Sequence, residues 1–79
     1  MKESNDKTNK IMPDPITDEI VDQIKMIRDT GKTNMFDTIT VRRLAYEMDQ
    51  VALVEYLCER ENRNAYYEFI LHGKRPQDK

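Results

Sequence analysis

The side chains able to support catalysis or metal binding are few and widely spaced. Cys58 and His72 are the only cysteine and the only histidine, too few for the three or four ligands of a zinc site. A catalytic thiol needs an activating base beside it, and His72 lies at the far end of the last helical pattern. Asp18 and Asp22 are one helical turn apart, but an acid–base pair needs a cleft around it. We therefore expect no enzyme activity, no cofactor and no metal site.

The run Gly31-Lys32-Thr33 matches the end of a phosphate-binding loop. That loop also requires an earlier glycine, a preceding strand and a following helix. Met26 occupies the position of the earlier glycine, and a helical pattern precedes the run. Nucleotide binding is therefore not expected.

A helix-turn-helix arrangement for DNA binding is a stronger alternative. Residues 40–45 have the pattern of a support helix, and a second helix follows closely. A recognition helix needs outward basic and amide groups, whereas this second helix carries Arg60 as its only cation. Its carboxylates are Glu55, Glu59 and Glu61. A small DNA-associated transcriptional regulator stays as the alternative function, and nucleic acid is not the expected partner.

Tyrosine and arginine side chains form the candidate binding surface, because exposed Tyr and Arg are enriched at protein interfaces. Tyr46 and Tyr56 fall off the inner apolar faces of their predicted helices, and Arg42 and Arg43 lie close to Tyr46 in sequence. The predicted partner-binding residues are Arg42, Arg43, Tyr46, Tyr56 and Tyr67. The alternative is that a small core contains all of the tyrosines.

Composition predicts one small domain. The chain has 79 residues, a charged share of 35% and a net charge of −2, so it lacks the basic excess of a typical nucleic-acid-binding domain. A single cysteine cannot form an internal disulfide, which favours a reducing cytoplasm. No apolar segment resembles a signal peptide or a membrane span.

Helical periodicity predicts an all-α, compact bundle of three to four short helices. The predicted N-caps are Thr17, Asp37, Asp49 and either Asn62 or Asn64, and the predicted C-terminal glycines are Gly31 and Gly73. Because each helix is too short to be stable alone, the helices must pack together. We expect a disordered leader over residues 1–15, one helical domain over 16–73 and a polar tail over 74–79.

The most distinctive run is Ile27-Arg28-Asp29-Thr30-Gly31-Lys32-Thr33-Asn34-Met35-Phe36-Asp37, here called the signature run. It is accompanied by Val41, Leu44-Ala45, Leu53-Val54, Tyr66, Phe69-Ile70 and Gly73. With these residues the chain resembles, over about residues 17–73, a family of small proteins catalogued as a domain of unknown function. The family is found in phages and prophages of Gram-positive bacteria.

The resemblance implies a phage or prophage accessory protein that acts in the cytoplasm of a bacterial host. Such proteins commonly bind and inhibit host machines, including defence nucleases. The leading expectation is a non-enzymatic protein that binds and modulates or inhibits a host protein, with anti-defence inhibition as one form. Homodimerisation is also considered, because a chain this small gains core by pairing. No membrane partner is expected.

The signature run also has a structural interpretation. Asn34 and Asp37 can bond to the backbone of a turn, and Met35 and Phe36 can fill the core between the first two helices. We expect this structural role, with a contact surface at the signature run as the alternative.

Overall fold

Four helices and their joints make up the described part of the chain, residues 12–78 of a computed structural model. They are α1 (Asp18–Thr30), α2 (Thr38–Glu47), α3 (Val51–Tyr56) and α4 (Arg60–His72). Within residues 12–78 no strand occurs, so the prediction of an all-α fold is confirmed. The disordered leader predicted for residues 1–15 falls mostly on residues 1–11, which lie outside the described part.

The first helix begins and ends where its sequence predicts. The Thr17 hydroxyl oxygen accepts a hydrogen bond from the Ile20 N–H at 3.2 Å, which satisfies one free donor of the first turn. Gly31 ends α1 with a left-handed φ of 66°, and its N–H donates to the Arg28 carbonyl at 3.1 Å. The buried face of α1 consists of Ile20, Val21, Ile24 and Ile27.

The N-cap predicted for α2 is also confirmed. The Asp37 carboxylate accepts hydrogen bonds from the Thr40 hydroxyl at 2.8 Å and the Thr40 N–H at 3.2 Å. These bonds favour the charged carboxylate and lower the pKa of Asp37, with Arg43 adding a weaker attraction. The start of α2 is thus fixed by residues that are neighbours in sequence.

The joint between α2 and α3 differs from the prediction. Asp49 is not the N-cap of α3: it has a left-handed φ of 59° and follows the end of α2. Its N–H donates to the Tyr46 carbonyl at 3.2 Å, and the Gln50 N–H donates to the Ala45 carbonyl at 2.8 Å. This is the Schellman pattern, which closes a helix C-terminus. Asp occupies the usual glycine position because its short polar side chain tolerates the left-handed conformation.

Both predicted caps for α4 are wrong. The residue before α4 is Glu59, whose side chain makes no capping bond, and Asn62 lies inside the helix with no solvent exposure. The Asn62 side-chain oxygen accepts from the Asp14 N–H at 2.7 Å, and its amide nitrogen donates to the Asp14 carboxylate at 3.0 Å. Residues 12–17, which precede α1, are here called the entry segment. Asn62 therefore holds the entry segment against α4 instead of capping the helix.

The core contains eleven buried side chains from the entry segment and all four helices. They are Ile16, Ile20, Val21, Ile24, Ile27, Val41, Ala45, Leu53, Tyr56, Leu57 and Tyr66. Phe36 was expected to fill this core but is 44% exposed; its ring stacks on Tyr67 with centroids 6.2 Å apart. Cys58 is exposed.

The polar tail folds back on the start of the domain. The Gln77 side chain accepts from the Ile16 N–H at 3.0 Å and donates to the Ile16 carbonyl at 2.8 Å. The Arg75 guanidinium donates to the same carbonyl at 3.2 Å and forms an ion pair with Asp18 at 2.9 Å. Residues 74–78 thus satisfy backbone groups that the entry segment cannot pair locally.

Candidate functional site

The outward face of α2 carries apolar and cationic side chains together. Ile39 and Tyr46 are each 74% exposed, although they lie two helical turns apart on one side of the helix. Val41 and Ala45, on the opposite side, are fully buried. The core therefore fixes which face of α2 meets solvent, and that face carries two large, exposed apolar side chains.

A shallow groove follows this face where α2 meets the end of α3. Its larger cavity, about 330 Å³, is lined by Ile39, Arg42, Arg43, Tyr46, Val54 and Cys58. A second cavity of about 300 Å³ is lined by Thr38, Ile39, Arg42, Leu57 and Arg63. Ile39 and Arg42 line both cavities, so the two adjoin, and together they are here called the α2 groove.

The α2 groove is positively charged. Among residues 12–78, no carboxylate lies within ion-pair distance of Arg42 or Arg43, and neither guanidinium makes a hydrogen bond; Arg43 interacts with the Asp37 carboxylate only weakly and from farther away. Arg63 is held in place, since one of its nitrogens donates to the Leu57 carbonyl at 3.0 Å and the Cys58 carbonyl at 3.3 Å. The groove thus presents two guanidinium groups without an ion pair, beside the apolar side chains of Ile39 and Val54.

The structure brings three of the five predicted partner-binding residues together. Arg42, Arg43 and Tyr46 all line the α2 groove. The prediction that Tyr56 lies off the inner face is wrong: Tyr56 is only 4% exposed, and its hydroxyl donates to the Asp14 carbonyl at 2.7 Å. Tyr67 is half-buried and lines a different cavity, beside Pro13 and the tail.

Ile39, Val54 and Arg63 are among the residues of the α2 groove that sequence reasoning missed. Ile39 could have been found, because its spacing of seven residues from Tyr46 places both on one helix face. Val54, on α3, is only half-buried and lines the groove. Arg63 comes from α4, and no local pattern connects it to α2.

The signature run builds the α1–α2 joint. The Asn34 side-chain oxygen accepts from the Phe36 N–H at 2.8 Å, which forms a turn. The Met35 carbonyl accepts from the hydroxyl of buried Tyr66 at 2.6 Å, and burial, together with neighbouring Tyr67, raises the pKa of Tyr66. These bonds give most of the run a structural role, while the half-exposed Phe36 ring remains open to contact.

Outside the α2 groove, the described residues offer little for metal binding or membrane crossing. Within the described ranges, no group of three His, Cys, Asp or Glu side chains is placed to hold a metal ion. A cavity of about 510 Å³ lies between α4 and the tail. No helix of residues 12–78 has the length and hydropathy that crossing a membrane requires.

Comparison with known families places this fold in one of them. A family model described as a domain of unknown function, DUF5049, matches residues 16–74. The chain belongs to the DUF5049 family. The match begins at Ile16, the first buried residue of the described part, and ends just after Gly73 closes α4, so DUF5049 includes all four helices. No curated protein and no solved structure matches the chain.

Proposed function

We propose that this DUF5049 protein is a non-enzymatic protein that binds a protein partner through the α2 groove. One observation carries the proposal. Arg42 and Arg43, which form no ion pair among residues 12–78, lie beside the exposed side chains of Ile39 and Tyr46. Exposed apolar side chains next to Arg are typical of interface centres.

The biological context of the proposal comes from the resemblance of the signature run. The resemblance implies a phage or prophage accessory protein that acts in the bacterial cytoplasm and modulates or inhibits the host protein it binds. Defence nucleases belong to this class of target. Small size and one exposed binding face suit an inhibitor that covers a surface of a larger protein.

The alternative, a helix-turn-helix regulator, receives less support from the geometry. The helix that follows α2 is α3, which has six residues and Glu55 as its only charged side chain. Six residues span only about 9 Å, and a carboxylate facing DNA phosphates opposes binding.

Affinity capture from a bacterial host lysate tests the proposal. The full chain is compared with an Arg42→Ala, Arg43→Ala variant and with a Lys25→Ala, Arg28→Ala control, which removes the same charge from α1. We expect a captured host protein to be lost with the α2 variant and retained with the control. Equal capture by all three chains contradicts the proposal. Duplex DNA binding in a gel shift that only the α2 variant loses supports the regulator instead.

A further inference from the structure

We infer that the α2 groove accepts an acidic amphipathic helix of the partner, an inference that rests on the proposed protein-binding function. In this arrangement apolar side chains of the partner helix pack on Ile39 and Tyr46, and its carboxylates pair with Arg42 and Arg43. The inference specifies the chemistry of the bound segment, which the proposed function leaves open.

The spacing of the apolar side chains favours a helical partner. Ile39 and Tyr46 are seven residues apart on α2, a rise of about 10 Å. A partner helix lying along α2 presents anchors over the same length from its own positions i, i+4 and i+7. Val54 contributes a third apolar contact from the opposite wall of the groove.

The positive charge of the groove determines which polar side chains the partner helix carries beside its apolar anchors. Arg42 and Arg43 lie on the same face of α2 as Ile39 and Tyr46, and among the described residues neither forms an ion pair with a carboxylate. A guanidinium forms paired hydrogen bonds with a carboxylate, and such pairs are stronger than neutral hydrogen bonds. Arg63 adds positive charge at the other end of the groove, where its hydrogen bonds to the Leu57 and Cys58 carbonyls, just after α3, fix its position. An acidic helix therefore complements the groove over its whole length.

A second copy of this chain fits the groove poorly. A two-fold interface pairs the same surface on both copies, and packing Ile39 of one copy on Tyr46 of the other puts the axis midway between them. Arg42 and Arg43 occupy that midpoint in the sequence of α2. Four guanidinium groups would then meet at the axis, which opposes association.

Nucleic acid is also a weaker fit than an acidic helix. Phosphates would engage Arg42 and Arg43 but would leave Ile39 without an apolar contact.

A pair of designed peptides tests the inference with the full chain. One is a helical peptide with Leu at i, i+4 and i+7 flanked by Glu; the other has Lys in place of every Glu. We expect the Glu peptide to bind at least ~10-fold more tightly in fluorescence anisotropy. An Arg42→Glu, Arg43→Glu variant should reverse this order, while a Lys25→Glu, Arg28→Glu control keeps it. Circular dichroism checks that both variants stay folded.

Several results would overturn the inference. The first is equal binding of both peptides. The second is that adding the Glu peptide changes NMR chemical shifts of this chain only away from α2 and α3. The third is concentration-dependent dimerisation of the chain through the groove. Another is DNA that displaces the Glu peptide and binds more tightly than it does. If host-protein capture depends on Arg42 and Arg43 but the peptides show no charge preference, the protein-binding function stands and the acidic-helix inference fails. If the peptide preference is found but capture is unaffected, the proposed function fails at this groove.

Discussion

The side-chain oxygen of Gln23, in the middle of α1, accepts a hydrogen bond from the backbone N–H of Leu53 at 2.8 Å. Leu53 is the third residue of α3, where a free N–H is normally satisfied by an N-cap side chain. Gln50, the residue at the cap position, makes no such bond. A residue 30 positions away therefore caps α3 and ties it to α1.

Replacing Gln23 should lower stability through α3. Gln23→Met keeps the length and removes the acceptor, so we expect a loss of about 1 kcal/mol in the free energy of unfolding. Gln23→Glu keeps an oxygen acceptor and adds a negative charge at a helix N-terminus, which is favourable. Urea unfolding of both variants measures the difference, and equal stability of Gln23→Met and the natural chain would show that the bond contributes nothing.

The contact between Asn62 and Asp14 gives a second prediction. Asn62→Ala leaves the Asp14 N–H without its acceptor in a part-buried position, which should cost roughly 1–3 kcal/mol. Asn64→Ala is the matched control, because Asn64 is exposed and two residues away; it should change stability by less than about 0.5 kcal/mol. Amide hydrogen exchange at Asp14 should speed up in the first variant alone. Similar effects of both substitutions would contradict this role.

The left-handed backbone at Asp49 predicts a stabilising substitution. Asp49→Gly removes the Cβ from a residue with φ 59° and should raise the free energy of unfolding by up to ~1 kcal/mol. Gly31→Asp provides the reverse change at φ 66°, where nothing lies within 4 Å of an added Cβ, and should destabilise by backbone strain alone. Thermal unfolding compares the two. A less stable Asp49→Gly chain would mean that the Asp49 side chain makes a favourable interaction.

Alkaline pH should destabilise the fold through Tyr56. Burial, and secondarily the charge of Asp14, raises the pKa of Tyr56 from its ordinary 10.0 to about 12. Because the folded pKa is above the unfolded one, the contribution is complete below pH ~10 and is lost as pH rises through about 10 to 12. The urea midpoint should therefore fall over this range, and Tyr56→Phe should reduce the slope. An identical pH dependence in both chains would exclude Tyr56 as its source.

Local sequence determined the elements whose stabilising partners are neighbours in the chain. Thr17 and Asp37 cap their helices through N–H groups three residues on, and Gly31 and Gly73 close their helices through their own φ angles. The helical spacing of Ile20, Ile24 and Ile27 places them on one face of α1, and that of Val41 and Ala45 places them on one face of α2; both faces are buried in the core. Such bonds and periodicities depend on residue type and short separation alone, so the sequence is sufficient to predict them.

Tertiary packing decided the features that join distant parts of the chain. The caps predicted for α3 and α4 were wrong because Gln23 and Asp14 lie 30 and 48 residues from the groups they bond. The tyrosines show the same limit, because Tyr46 is exposed whereas Tyr56 is buried. The Tyr56 hydroxyl donates to the Asp14 carbonyl, which lies 42 residues away, so no local pattern predicts this contact.

The candidate site depends on both kinds of information. The order Ile39, Arg42, Arg43, Tyr46 places these side chains on one face of α2 by helix geometry alone. Whether that face meets solvent or core depends on where α1 and α3 pack, and they cover the side that carries Val41 and Ala45. Val54 and Arg63 reach the groove from other helices. A helix has the same face pattern wherever it lies, so only its neighbours decide which face remains available to a partner.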